Sequence, residues 1–201
     1  WPAAVGKVWE ATGASDAQAM VHCVGSLSFL MAMMAGLEGV RSAVCSSLAF
    51  YPPSPTVNEV KAGLDLGSFL TVLGIDEMTT DFDAADWKDR LLDAVLELRD
   101  RRRILLMYGE VYAHDQLNDA THLAIHEMFG VANLGTFNHL ARMVRRRQIV
   151  DHEGRDAYLP HLDRLAIPIT FLHGARNRLF LPEGRGRRCR PGESLSILRA
   201  Q

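Results

Sequence analysis

The sequence predicts an α/β fold in which a parallel sheet carries a large helical insertion. Helix and strand patterns alternate through residues 1–50, as in a βαβ-type sheet. Residues 56–160 contain no convincing strand alternation and read as helices, and another strand pattern follows at 167–173. The chain has 201 residues, 48% of them hydrophobic and 23% charged, which suits one globular domain with a core.

The first elements follow one another closely. Pro2–Ala11 is predicted as a helix, because Pro is favoured in a first turn and Gly13 follows its end. Ala17–His22 is a short buried strand. Val24–Leu37 is apolar on nearly every face, which predicts a buried helix, and Val40–Leu48 is predicted as a second buried strand.

A proline-rich segment at 51–55 then interrupts the alternation. The helices predicted after it are Asn58–Leu73, Ala84–Arg103, Asp115–Met128 and Leu134–Arg146. A helical insertion of this length after a strand is typical of a lid over an active site. The chain returns to the predicted sheet at Ile167–His173, entered through Pro168.

Residues 21–26, Val-His-Cys-Val-Gly-Ser, place Cys23 on the turn between the first predicted strand and the helix that follows. A nucleophile on such a turn projects into the active site near the positive end of the helix, and the Val24 N–H faces the same space. A thiol there can have a lowered pKa. The pattern predicts acyl transfer through a covalent intermediate on Cys23. The alternative is that Cys23 is a small buried hydrophobic residue.

Three pieces in order resemble the α/β-hydrolase family: the turn, the helical insertion and the segment Leu165–Gly174. The turn is similar to the nucleophile elbow G-x-S-x-G of that family. Val21 stands at the first glycine, Cys23 stands at the serine, and Gly25 is kept. The resemblance implies a partial α/β-hydrolase core with a lid, acting on small-molecule esters or thioesters as a hydrolase or acyltransferase.

The resemblance also implies roles for single residues. Asn177 stands where the family has its acid, and an amide can still orient an imidazole, as in Cys-His-Asn arrangements. The alternative is that Asn177 is a polar loop residue without a catalytic role. Cys23 and Asn177 would be catalytic, with Val24 as oxyanion donor. His22 is expected to pack and orient rather than act as base, because neighbouring strand side chains point to opposite faces. Since no His follows His173 and the family's order is nucleophile, acid, His, we expect this chain to be inactive alone. Because it begins at Trp1 without Met and ends in an Arg-rich stretch, we also expect it to be cut at both ends.

Two narrower resemblances keep other functions open. Val21–Leu37, Tyr108–Phe129 and Tyr158–Gly174 are similar to the hydrolase-like C-terminal region of bacterial proteins of the cholesterol oxidase or GMC oxidoreductase type. This implies a non-catalytic hydrolase-fold domain beside a fused oxidoreductase domain, where FAD would bind, and no cofactor in this chain. The Cys elbow is also similar to that of polyhydroxyalkanoate synthases, which implies an acyltransferase acting on thioesters.

The expected organisation has four parts. They are a core with the elbow at 1–50, a helical lid at 51–160, a core strand and acid loop at 161–183, and an atypical Arg-rich tail at 184–201. His114 and Asp115 on the lid either line a substrate channel or are surface polar residues. His122 and His126 are four apart, but Leu123 stands where H-E-x-x-H needs Glu, so no metal site is expected.

Charge and cysteine usage exclude some classes of partner. The formal net charge is −2, and the Arg clusters at 99–103 and 142–147 lack interleaved aromatic residues, so no nucleic-acid partner is expected. Cys23, Cys45 and Cys189 are widely spaced and form no disulfide framework, which favours a cytoplasmic location. No transmembrane segment is expected, because the most apolar stretch is broken by the elbow.

Overall fold

The structure is a computed structural model that describes residues 1–48, 77–78, 108, 111–174, 177 and 195–200, with only the backbone described at 78, 114, 122, 123, 126 and 195–200. The chain divides into two compact units, residues 1–54 with 146–201 and residues 55–145. The predicted helices at 58–73 and 84–103, and Cys189, lie outside the described residues. The predicted boundaries at 50, 160 and 183 stay predictions.

A four-stranded parallel sheet organises the first unit. The described strands are β1 Ala17–His22, β2 Val40–Ser46, β3 Glu77–Met78, β4 Ala132–Asn133, β5 Ile169–Gly174 and β6 Leu195–Ala200. The sheet has the order β1-β2-β5-β6, and each neighbouring pair is parallel. The predicted α/β class with a parallel sheet is therefore confirmed, and the residues that follow β1, β2 and β5 leave the sheet at one common edge.

The first helix begins and ends at recognisable sequence signals. The described α-helices are α1 Pro2–Thr12, α2 Val24–Met34, α3 Asp119–Ala124 and α4 Leu134–Arg146, and 3₁₀ helices cover His114–Gln116, Ile125–Met128 and Leu159–Arg164. In α1, Pro occupies the first turn and Gly13 takes a left-handed φ of 70° while donating its N–H to the Trp9 carbonyl. None of these described helices has the length and hydrophobicity needed to span a bilayer.

Helix α2 ends at Met34, three residues before the predicted end at Leu37. Gly36 takes a φ of 101°, and the Leu37 N–H donates back to the Ala32 carbonyl at 2.9 Å, which closes the helix with a Schellman-type bond. The Arg164 guanidinium also donates to the Met34 carbonyl at 2.8 Å. Leu37 is buried although it lies outside the helix, so its apolar character belongs to the core and not to the helical period.

Strand β2 is two residues shorter than predicted, and β5 begins two residues later than predicted and ends one residue later. β2 ends at Ser46 instead of Leu48, because Ser47 has a φ of 54° and turns the chain out of the sheet. β5 begins at Ile169, after Pro168, whose nitrogen has no hydrogen to donate to the sheet. The bounds predicted for β1 are those of the structure.

Strand β6 was not predicted. It pairs in parallel with β5 from Leu195 to Ala200, inside the tail that the sequence marks as atypical. The arginine-rich composition of that tail conceals a short apolar stretch, Leu195-Ser196-Ile197-Leu198, whose residues suit a strand.

The second unit departs from its prediction in one helix and one strand pair. The helix predicted at Asp115–Met128 is interrupted, because Asn118 caps a new helix by accepting the Thr121 N–H at 2.8 Å. A 3₁₀ turn precedes α3 and another follows it. β3 and β4 form an antiparallel pair where no strand was expected. The predicted helix Leu134–Arg146 has the bounds of α4, and the 142–147 arginine cluster lies at its end.

The apolar core of the first unit is built on α2. Phe29, Leu30 and Met34 of this helix are fully buried, as is Cys45 of β2. α2 contacts β1 and the 3₁₀ helix at 159–164. Burial of a large apolar side chain contributes about 1.5–3 kcal/mol, so this helix is a main source of the unit's stability. The predicted burial of α2 is confirmed.

A carboxylate-centred turn follows α4. Asp151 is buried, and its Oδ1 accepts the Arg155 N–H at 2.8 Å and the Glu153 N–H at 3.0 Å. Its Oδ2 accepts Arg155 Nε at 2.7 Å. The Arg155 backbone N–H, with the Arg155 side chain and the Glu153 N–H adding to it, lowers the pKa of Asp151 to about 2.

We expect Gly39→Ala to destabilise the first unit more than Gly13→Ala. Both glycines have a left-handed φ, 75° and 70°, so both substitutions introduce about 1–2 kcal/mol of backbone strain. A Cβ at Gly39 would also lie 1.7 Å from Trp9 Cζ2, whereas nothing lies within 4 Å of one at Gly13. Displacing the ring should cost about 1–3 kcal/mol more. Urea unfolding of the two variants measures this, and equal losses would contradict the packing of Trp9 on Gly39.

We expect Asp151 to contribute to acid sensitivity. Its folded pKa is depressed, so its contribution to stability is present above the unfolded pKa of about 3.9 and is lost as the pH falls toward 2. Asp151→Asn should lower stability at pH 7 and reduce the decline between pH 4 and pH 2. Urea unfolding across that range measures both effects, with Asp163→Asn at an exposed site as the control. An unchanged acid decline in Asp151→Asn would refute this account.

Candidate functional site

Cys23 occupies a strained turn between β1 and α2. Its backbone has φ 53° and ψ −127°, a conformation that costs a residue with a side chain about 1–3 kcal/mol. The Cys23 N–H donates to the Ser46 carbonyl at 2.9 Å, and the Cys23 carbonyl accepts the Ser26 N–H at 2.9 Å and the Leu27 N–H at 3.2 Å. The turn therefore ends the strand and starts the helix at one residue, as the elbow pattern predicts.

The thiol of Cys23 is half-buried at this turn. Burial raises its pKa, and a hydrogen bond from the Val24 N–H to the sulfur lowers it by less. The expectation of a lowered pKa at the helix end is therefore wrong for this chain, because the loss of water around the sulfur outweighs the helix N–H. The Val24 N–H lies beside the sulfur, and its role as oxyanion donor stays a prediction.

Ser26 holds the turn against β2. Its side chain is fully buried, and Oγ donates to the Ser46 carbonyl at 2.9 Å while accepting the Ser46 N–H at 3.1 Å. The first turn of α2 is thereby fixed to the end of the neighbouring strand. A small hydroxyl side chain is needed here, because a larger one would push the helix from the sheet.

His22 is exposed at the end of β1, and its orienting role stays a prediction. Its Nδ1 lies 2.6 Å from Ser46 Oγ, within hydrogen-bond distance. His173, on β5, is buried, with 2% of its surface exposed. The histidine next to Cys23 in sequence therefore directs one of its ring nitrogens to β2.

Asn177 lies three residues after the end of β5. Its Nδ2 donates to Ser47 Oγ at 2.6 Å, and its N–H donates to the Gly174 carbonyl at 3.1 Å. Since β1, β2 and β5 are adjacent and parallel, Cys23, Ser47 and Asn177 follow three successive strands at one edge of the sheet. Ligands and active sites of parallel sheets lie outside this edge.

Ser46 and Ser47 are the site residues that the sequence analysis missed. They connect the elbow, His22 and Asn177, and all of these contacts come from the end of one strand. The available signal was a pair of serines directly after the apolar run of β2. That pair was interpreted as the interior of a longer strand.

The other predicted site residues belong to the second unit. His114 and Asp115 lie in a 3₁₀ helix, where Asp115 is exposed and its Oδ2 accepts Gln116 Nε2 at 3.3 Å. The side chains of His122 and His126 are outside the description. Within the described part of the chain, no group of three His, Cys, Asp or Glu residues is placed to hold a metal ion.

Similarity to known proteins is found among solved structures and is weak. No protein-family model matches the chain, and no curated protein is significantly similar to it. Among solved structures, it is similar to a marine microorganism esterase (TM-score 0.43, 9% identity, 99% of this chain and 67% of that one). MGS-M2, an α/β hydrolase from a Medee basin deep-sea metagenome library, has TM-score 0.38 and 11% identity over 99% and 62%. Epoxide hydrolase A from Mycobacterium thermoresistibile has TM-score 0.35 and 16% identity over 100% and 67%.

These structures are longer than the chain, which spans about two thirds of their length. The α/β fold itself stands on the strand pairing described above. The narrower resemblance to the cholesterol oxidase or GMC oxidoreductase type stays a prediction.

We expect Ser26→Ala to destabilise the first unit by about 1–3 kcal/mol, because it removes two hydrogen bonds to the Ser46 backbone inside the core. Ser42→Ala is the matched control, since Ser42 also lies on β2 and its Oγ accepts an exposed bond from Gln18 Nε2 of β1. Urea unfolding should show a much smaller loss for the control. Similar losses in the two variants would mean that Ser26 does not anchor the turn.

Proposed function

We propose that the chain is the nucleophile-bearing part of an α/β-hydrolase-type acyl hydrolase or acyltransferase, with Cys23 as nucleophile. The observation that carries the proposal is the backbone of Cys23, φ 53° and ψ −127°, on the turn from β1 to α2. A strained residue persists only where the surrounding bonds fix it, and such residues cluster at functional sites. The substrates best suited to a thiol nucleophile with a nearby N–H are small-molecule esters and thioesters.

In the proposed reaction, the Cys23 thiolate attacks the acyl carbonyl carbon and forms a C–S bond. The carbonyl electron pair moves to oxygen, where the Val24 N–H stabilises the negative charge. Collapse of this intermediate breaks the bond to the alcohol or thiol, which leaves with the proton taken from Cys23. Water, or a second acceptor alcohol, then attacks the thioester and restores the Cys23 thiol.

The raised pKa of Cys23 means that this thiol needs a base near neutral pH. We propose that the base is the imidazole of a histidine outside these 201 residues. Its ring N–H would donate to the amide oxygen of Asn177. Asn177 would orient the imidazole without supplying a charge. The chain by itself would then undergo acylation slowly and would not turn over.

A second candidate function is favoured by two observations. The protonated, half-buried thiol of Cys23 and the amide at the acid position are both what a non-catalytic domain of this fold would carry. Such a domain would support a fused flavin-dependent oxidoreductase. The synthase-like acyltransferase is the third alternative and differs from the first in its acyl donor, a coenzyme A thioester.

We expect iodoacetamide to alkylate Cys23 faster than Cys45. The rate for Cys23 should still be increasing with pH above pH 9. Only the thiolate reacts, and a raised pKa leaves little thiolate at neutral pH. Cys45 is fully buried, and burial raises its pKa to about 12, which makes it the internal control. Peptide mass spectrometry from pH 6 to pH 10 gives both rates, and Cys23→Ser verifies the assignment.

Equal, slow alkylation rates for the two thiols would contradict the proposal that Cys23 is a nucleophile and would favour the non-catalytic domain. A rate that is already maximal at pH 7 would instead contradict the raised pKa of Cys23. Incubation with p-nitrophenyl acetate and with acetyl coenzyme A separates the acyl donors, because intact mass reveals which one leaves an acetyl group on Cys23.

A further inference from the structure

Ser47 is held in a conformation that its residue type does not favour. Its φ is 54°, in the left-handed region that suits glycine, yet it carries a side chain. It is half-buried, and it lies directly after β2 at the edge where Cys23 and Asn177 also lie.

Two hydrogen bonds fix Ser47 in this conformation. Its N–H donates to the Leu172 carbonyl at 3.0 Å, which ties it to β5. Its Oγ accepts Asn177 Nδ2 at 2.6 Å. The Asn177 backbone is tied in turn to Gly174 at the end of β5. The hydroxyl therefore connects the ends of two strands through a side chain that the proposed reaction uses.

The direction of this contact matters chemically. A side-chain amide has one donor group, NH₂, and one acceptor, the carbonyl oxygen. An imidazole is oriented when its ring N–H donates to an acceptor, so only the oxygen end of Asn177 can do this. In this structure the NH₂ group is the end of the amide that faces Ser47, and the contact fixes the position of the Asn177 side chain beside the end of β2.

We infer that Ser47 is a positioning residue that holds the Asn177 side chain at the sheet edge, where its amide would orient an imidazole. The inference rests on the proposed function, because it assigns Asn177 the orienting role. The strained backbone of Ser47 is then explained as the geometry that brings a hydroxyl to the acid position of the sheet edge.

A carboxyl titration tests the contact without any need for activity. In Asn177→Asp the Ser47 hydroxyl can turn and donate to the new carboxylate, since a hydroxyl both donates and accepts. Losing that bond in Ser47→Ala or Ser47→Gly on the same background should raise the carboxyl pKa by roughly 0.5 to 1, by loss of one hydrogen bond to the charged form. NMR titration of the carboxyl carbon measures it, and identical pKa values would overturn the inference.

Imidazole added to the full chain tests the orienting role. The rate of Cys23 alkylation by iodoacetamide at pH 7.5 should increase with imidazole concentration and saturate. Ser47→Ala and Ser47→Gly should both reduce the saturating increase, by about two- to tenfold, the effect of one hydrogen bond. The two variants differ in backbone strain, because glycine relieves the φ of Ser47 and alanine does not.

Equal reductions in the two variants, with Ser47→Gly the more stable protein by urea unfolding, support the role of the hydroxyl. A reduction confined to the less stable variant, or none in either, overturns it. If the unmodified chain has no saturating response while the carboxyl pKa still depends on Ser47, the proposed function fails and the positioning role fails with it, although the contact itself stands.

Discussion

The backbone of Ser46 is the point on which the elbow depends. Its carbonyl accepts both the Cys23 N–H and the Ser26 hydroxyl, and its own N–H donates to Ser26 Oγ. These bonds join the end of β2 to both sides of the strand-to-helix turn, so the Cys23 backbone cannot relax toward an ordinary conformation without breaking them. Buried polar groups that lose a partner cost about 1–3 kcal/mol each, which is comparable to the strain at Cys23.

The chemistry of the thiol is decided by two opposing effects of the same turn. The helix N-terminus favours a negative charge by about 0.3–1 kcal/mol at an exposed site, which corresponds to less than one pKa unit. Desolvation is the larger effect here, and the pKa of Cys23 is raised. The fold therefore places a thiol at the turn without lowering its pKa, and its use as a nucleophile would require a further group at the sheet edge. This is why the elbow by itself does not define a working enzyme.

The sequence predicted those parts of the fold whose signals are local. The bounds of β1 and α4 follow from capping and periodicity, and Cys23 was located because a short apolar run meets a small-residue helix start. The missed features depend on partners far away in sequence. Ser47 contacts Asn177, which lies 130 residues further along the chain. β6 is recognisable as a strand only through its pairing with β5. Periodicity contains no information about such contacts. The pKa of Cys23 was mispredicted for the same reason, since burial is a property of the assembled unit.

The edge formed by β1, β2 and β5 has a chemical consequence that neither the elbow nor Asn177 has alone. Cys23, Ser47 and Asn177 follow three successive strands and supply a thiol, a hydroxyl and an amide. Without any change in its backbone, the Ser47 hydroxyl can accept a hydrogen bond from an amide or donate one to a carboxylate. An acid position supported in this way tolerates either Asn or Asp without rebuilding the sheet edge. In the proposed reaction an Asn beside a Cys nucleophile is chemically consistent. A thiol needs less activation than a serine hydroxyl, so an amide that only orients the catalytic imidazole suffices. In the proposed reaction the amide of Asn177 and the thiol of Cys23 therefore suit one another, and the Ser47 hydroxyl is the group that holds the amide at the sheet edge.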